Sequence, residues 1–112
     1  MFQAKSEHNI TDNGDIIVSV ANQSHGTGTR KAAEKLRTLV LNIALSDKKK
    51  VVLDFTGINL ISSSYADELI GKIISQYGFS FFVSNFSMIN LSSTSSFILN
   101  RSVQQRMAQN YY

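Results

Sequence analysis

Three consecutive hydroxyls, Ser62, Ser63 and Ser64, separate the apolar run Val51-Val52-Leu53-Asp54-Phe55 from the pattern Ala66, Leu69, Ile70, Ile73, Ile74, Tyr77. The run reads as a buried strand and the pattern as one face of a helix. The hydroxyls therefore fall at a helix N-terminus, where four backbone N–H groups lack internal partners. A serine that accepts from one of them is worth ~1 kcal/mol over alanine. Ser64 followed by Asp67 fits a loose capping pattern, and Asp67 and Glu68 suit the positive end of the helix dipole. Capping accounts for one or two serines and does not require three. The same terminus stabilises an anion. A phosphoryl group on an exposed serine gains N–H donors there and adds about two negative charges to the surface, enough to repel a docked partner.

The remaining reactive side chains are less organised. Asp54 sits inside an apolar run, either as a site carboxylate at the strand end or, more in keeping with buried acids generally, as an acid that caps a turn or pairs locally. His8 and His25 lie in loops without acids at ligand spacing, so no metal site is expected. Ser63, His25 and Asp54 could be drawn as a hydrolase triad. The G-x-S-x-G elbow is missing, however, and the chain is short for that fold. SHGTGTR (24–30) precedes a helix, with Arg30 at its start. It lacks the longer glycine frame and the lysine of a phosphate loop, so it reads as a flexible connection capped by Thr27 or Thr29. Arg30 and Lys31 could contact an acidic partner.

With 112 residues, 43% hydrophobic and 17% charged, the chain has room for one core, and we expect a single domain over 1–112. No apolar run approaches the ~20 residues of a membrane span. The N-terminus carries no signal-peptide pattern and there is no cysteine, which favours a cytoplasmic protein without disulfides or thiolate chemistry. The net charge of +3 is mild. Arg30, Lys31, Lys48–Lys50, Arg101 and Arg106 read as a solvated surface before they read as a nucleic-acid footprint.

The element pattern is strand, strand, helix, strand, helix, strand, helix. Asn13-Gly14 is a hairpin turn signal between a weak arm, Phe2 to Ile10, and the strand Ile16 to Val20. A helix from Arg30 to about Ser46 buries Ala32, Ala33, Leu36, Leu39, Val40 and Ile43. A second spans the serines to Tyr77, stops at Gly78, and places Glu68 and Lys72 for an i,i+4 pair. The segment 79–91 is read as a packed turn followed by a strand from Ser87 to Leu91. Ser93 to Asn110 is a last helix with Phe97, Ile98 and Met107 as its buried residues. This predicts an α/β fold: a small mixed β-sheet of about four strands with about three packed helices.

Residues 50–78, with LDFTGI, the serine triplet, ADELIGKI and QYG, together with GTRKAAEKLR (28–37) and the tail near SVQQR (102–106), resemble the STAS-like domain family of bacteria. The likeness covers about 16–107, the expected domain core, and extends more distantly to anti-sigma factor antagonists. In those relatives a turn serine is phosphorylated by a partner of the histidine-kinase-like ATPase fold. By position that serine corresponds to Ser63, with Ser62 where the antagonists have aspartate and Tyr65 where they have glycine. The resemblance implies a non-catalytic protein–protein interaction module with no cofactor, an ATP-binding partner and partner switching. The implied partner surface is Ser62, Ser63, Ser64, Tyr65, Asp67 and Glu68, with Ser63 as phosphoacceptor and Asp54 and Arg30 in support. The alternatives are a structural subunit of a complex, in which the serines only cap, and a nucleic-acid-binding domain using the scattered lysines and arginines. A homodimer is compatible with either.

Overall fold

The computed structural model describes residues 8–10 and 14–109. Strands β1 (His8–Ile10), β2 (Ile16–Ser19), β3 (Val51–Asp54) and β4 (Phe86–Ile89) form one sheet in the order β1-β2-β3-β4. The three longer strands are parallel, and β1 adds an antiparallel edge. The sheet is therefore mixed, as the residue pattern predicts. The Asn13-Gly14 turn, the rest of the N-terminal arm and Asn110 fall wholly or partly outside the described residues.

Register assigns the two faces. Ile16, Val51 and Phe86 stand side by side, and so do Val18, Leu53 and Met88. All six belong to the hydrophobic core or pack against it. The alternate row, Ile17, Val52 and Ser87, points the other way, as the two-residue period of a strand requires, and lies outside that core. β3 is buried along Val51–Leu53, which is why its sequence reads as a continuous apolar run.

Three long helices build the opposing layer. The first, α2 (Arg30–Asn42), is capped by Thr29, whose hydroxyl accepts from the Ala32 N–H at 3.2 Å, and runs on into a π-helical turn, Ile43–Asp47. The second, α3, covers 63–77 and changes pitch midway, being α-helical over Ser63–Ala66, π-helical over Asp67–Gly71 and α-helical again over Lys72–Tyr77. The third, α5, is Ser93–Gln109. Two short helices complete the set: α1 (Val20–Gln23) and α4 (Phe79–Asn85). The α2 and α5 helices both pack on the π-helical stretch of α3, so α3 is the middle helix of its layer.

Two local expectations need correction. The segment 79–85 is helical rather than a turn, and β4 starts at Phe86 and ends at Ile89. Gly78, at φ +93°, breaks the backbone between α3 and α4, and Asn90, at φ +61°, stops β4 before Leu91. Tyr77 then stacks on Phe81, and Phe82 of α4 stacks on Phe86 at the start of β4, an aromatic cluster that the helical form of 79–85 brings together. Phe97 is 63% exposed, not buried, and the inward positions of α5 are Ser95, Leu99 and Ser102. Those residues recur at the three- and four-residue spacing of one helix face, which leaves Phe97 on another.

Small residues set the contact between α3 and α5. A Cβ at Gly71 would lie 2.5 Å from Asp67 Oδ1, 3.0 Å from Arg106 Cγ and 3.0 Å from Ser102 Oγ. Ser102 itself is buried with no hydrogen-bond partner for its hydroxyl. Gly71→Ala should therefore destabilise the fold by about 1–3 kcal/mol in a denaturant titration, despite the better helix propensity of alanine. Ser102→Ala removes an unpaired buried hydroxyl and should leave the midpoint unchanged or slightly raised.

Candidate functional site

Parallel topology brings the start of each long helix to the carboxyl edge of the sheet, just past β2, β3 and β4. The loops there are tied to one another. Thr27 Oγ1 donates to Leu60 O at 2.8 Å, the Ser62 N–H to Thr27 O at 3.0 Å, and Ser62 Oγ to Gly28 O at 3.1 Å. Ser92 caps α5 through the Ser95 N–H and donates to Asn59 O at 2.8 Å. SHGTGTR is thus a structural clasp on the segment that leads into the serines.

The three hydroxyls divide. Ser62, not Ser64, is the N-cap: its Oγ accepts from the Tyr65 N–H at 3.0 Å. Ser63 and Ser64 are the first helical residues and are exposed, and neither side chain is hydrogen-bonded among the described residues. Two shallow depressions flank Ser63. One, of about 160 Å³, is lined by Ser63, Asp67, Ile98, Arg101, Ser102 and Gln105. The other, of about 310 Å³, lies between Arg30, Ser63, Ser64, Asp67 and Arg106.

Two members of the expected partner surface face inward, which corrects that part of the reading. Tyr65 is fully buried, and its hydroxyl donates to Ser24 Oγ at 2.7 Å. A ring of that size at the third helical position gains more from the core than from solvent. Burial also raises its pKa, partly offset by the Ser24 bond. Glu68 is only 5% exposed. Its carboxylate accepts from Arg37 at 2.8 Å and from Arg30 at 3.0 Å, and Lys72 stands 3.3 Å away, making the expected i,i+4 pair. Burial alone would raise the Glu68 pKa, but hydrogen bonds from Arg37, Arg30 and Lys72 outweigh it and the net shift is downward.

Asp67 is half-buried and binds the other flank. Arg106 grips it with a fork, Nε on Oδ1 and Nη2 on Oδ2, both at 2.7 Å, while Arg30 Nη1 reaches Oδ2 at 3.0 Å. Arg106 also donates to Ser75 Oγ. The Arg106 fork is the main reason the Asp67 pKa falls from 3.8 to about 2. Arg30, expected as a supporting residue, does reach this cluster. Asp54 does not. Its Oδ1 accepts from Asn90 Nδ2, from the Thr56 N–H and from Thr56 Oγ1, a turn cap that depresses its pKa, Asn90 contributing most. Ser63, His25 and Asp54 share no hydrogen bond. His25 lines a separate hollow with Lys31 and Lys35. Among the described residues no group of three metal-ligating side chains converges, and no helix is long and apolar enough to cross a membrane.

The ion-pair frame was not anticipated beyond Glu68–Lys72. Arg106 had read as part of a solvated surface and Arg37 lies outside the apolar face expected for its helix, and only their positions on helices that flank α3 could have hinted otherwise. Residues 32–96 match the profile of a family described as a STAS-like domain of unknown function (DUF4325), more than half of the 112-residue chain. No curated protein and no solved structure matches.

Two outcomes follow from this geometry. Ser62→Ala should cost about 1 kcal/mol or more in thermal or chemical unfolding, because it removes a cap and a bond to Gly28, whereas Ser63→Ala should change stability by a few tenths at most. The Asp67 carboxyl is more acidic folded than unfolded, so its contribution is complete above about pH 4 and is lost as pH falls towards about 2. Unfolding midpoints across that window should drop for the wild type, by an amount on the order of 2 kcal/mol from this group. Asp67→Asn should start lower and flatten that part of the profile.

Proposed function

We propose that this chain, which belongs to the STAS-like domain family, is a non-catalytic regulatory module that docks a partner protein on the start of α3. The partner we expect is an ATP-binding protein of the histidine-kinase-like fold, as the resemblance to anti-sigma factor antagonists implies. The docking surface is Ser62, Ser63, Ser64 and Asp67, with Arg30 beside them. Tyr65 and Glu68 act from below, holding that surface in place.

The observation that carries the proposal is the division among the serines. One caps the helix, and the next two stand free and exposed on a braced terminus. Ser63 is the phosphoacceptor in this reading. Its Oγ attacks the terminal phosphorus of ATP held by the partner, and the O–P bond forms as the bond to the β–γ bridging oxygen breaks. The hydroxyl proton passes to a base of the partner, and ADP leaves. A site that accepts a phosphoryl group needs no base of its own, in keeping with a Ser63 that has no histidine or carboxylate hydrogen-bonded to it. The nucleic-acid alternative finds less support. Lys48–Lys50 precede the start of β3, whereas Arg30 and Arg101 border the depressions at the serines, so these cations do not make one stripe.

The test is binding of the ATP-binding partner to the wild type and to Ser63→Ala and Ser63→Asp, by titration calorimetry with purified proteins. Ser63→Ala should bind like the wild type, and Ser63→Asp should bind at least tenfold more weakly. Equal affinity for all three would end the switch reading and leave Ser63 a bystander.

A further inference from the structure

The two depressions beside Ser63 are walled by three arginines, Arg30, Arg101 and Arg106, and by one carboxylate, Asp67. Asp67 and Glu68 together pair with Arg30, Arg37, Arg106 and Lys72. Arg101 adds a fifth cation on the wall of the smaller depression, across from Ser63 and beside Gln105, and it makes no ion pair among the described residues. The cluster thus holds five cations against two anions. The two arginines nearest to being free stand on opposite sides of Ser63. Arg101 comes from α5 and lines one depression. Arg30 comes from α2 and lines the other, and it touches both carboxylates through a single nitrogen, Nη1, while its side chain remains 52% exposed. Arg37 and Arg106 are held more firmly. The first is bound to both the carbonyl and the carboxylate of Glu68, and the second is forked on Asp67.

The backbone adds to this. The N–H groups of Ser63 and Ser64, the first two of α3, have no acceptor among the described residues, because the cap serves Tyr65 and Ser62 O takes the Ala66 N–H. Asp67 lies one turn below Ser63 and lines both depressions. An anion on Ser63 would therefore compete with Asp67 for Arg30.

We infer that a phosphoryl group on Ser63 is clamped within the chain by Arg101 of α5 and Arg30 of α2, so that modification withdraws the positive charge these arginines present beside the docking surface and ties the two outer helices across α3. The inference rests on the reading of Ser63 as phosphoacceptor and changes how the switch works. The partner is released because the arginines it would meet are sequestered. Repulsion from an exposed charge is not required. An aspartate at 63 has one charge, a shorter reach and no tetrahedral set of acceptors, so it draws on the same arginines but reproduces the clamp in part, enough for the tenfold loss of binding and less than phosphoserine gives.

The experiment installs phosphoserine at position 63 of the full chain by genetic encoding and follows its phosphorus resonance against pH. The second ionisation of phosphoserine, ordinarily near 6, should fall by about one unit in the folded protein relative to the same protein in urea. The groups facing the phosphate are Arg30, Arg101 and Arg106, with Asp67 and, through Arg30, Glu68 opposing them. Arg101→Ala should restore half of the shift or more, Arg101→Lys should restore less, and Lys48→Ala, at the other edge of the sheet, should restore none. The phosphorylated wild type should also melt at a higher temperature than the unmodified chain, and the gain should vanish with Arg101→Ala. A phosphate that titrates as it does in urea overturns the clamp, and so does a shift untouched by Arg101→Ala. Partner release is measured separately with the same phosphoprotein, so a failed clamp with intact release leaves the switch standing. A shifted phosphate without release removes the switch and keeps the clamp.

Discussion

Two adjacent carboxylates hold the helical layer together. Asp67 and Glu68 are neighbours in sequence, so their side chains leave α3 in different directions around its axis. One reaches Arg106 on α5, and the other reaches Arg37 and Arg30 on α2. The middle helix thereby grips both outer ones from a single point. Burying Glu68 is costly unless its charge is met on several sides, and three cations meet it. The π-helical turn over Asp67–Gly71 lies at this junction. Such turns are rare in helices and recur where side chains must be re-aimed. Gly71 follows on the same turn and lets α5 approach closely enough for the Arg106 fork to close. Sheet register, core packing and the small-residue contact all converge on the placement of these two acids.

The carboxyl edge of the sheet inherits its rigidity from that frame. The caps of α3 and α5 do double duty: Ser62 and Ser92 each accept from their own helix and donate to a carbonyl in a neighbouring loop. Tyr65 extends the tie from the α3 core to Ser24. A hydroxyl presented on such a base is fixed in position by bonds it does not itself make. Ser63 and Ser64 are in that situation, which separates them from Ser62 more sharply than their adjacency suggests.

The strands β2 and β3 and the helices α2 and α3 were legible because their apolar periods are clean. Ala32, Ala33, Leu36 and Val40 mark one face of α2, and Val51 to Leu53 mark a buried strand. The 79–91 segment was not, because Phe81, Phe82 and Phe86 suit a strand and a packed helix equally, and only the backbone angles of Gly78 and Asn90 decide between them. Phe97 was misread for a related reason. An aromatic residue normally outweighs serine as a core marker, yet the close approach at Gly71 selects Ser102, which shares the inner face of α5 with Ser95. At the site, the position of the serines at a helix start could be read from the strand-to-helix change. The identity of the cap could not, since Ser62 and Ser64 are chemically equal and differ only in which one the loop 57–62 delivers to the terminus. Tyr65 and Glu68 were assigned to the surface by their place in the family motif at the helix start, and glutamate is seldom buried. Their burial depends on Ser24, Arg37 and Arg30, which lie 31 to 41 positions away in the sequence and become neighbours only through the parallel crossover.

Rigidity and charge together determine what a modification at this edge can do. A terminus braced by cross-loop bonds has little freedom to change shape, so a new group there acts mainly through its field and its hydrogen bonds. The field is already biased. Five cations against two carboxylates leave the cluster with the same excess, +3, as the whole chain. A dianion placed among them shrinks that excess without reversing it. A partner that recognises positive charge beside a free hydroxyl therefore meets a different surface after phosphorylation even though the fold beneath is the same. Small modules of this size have little stability to spare for a conformational rearrangement. In the proposed switch, exchanging which anion the arginines hold would alter recognition while the core between sheet and helices stays as it was.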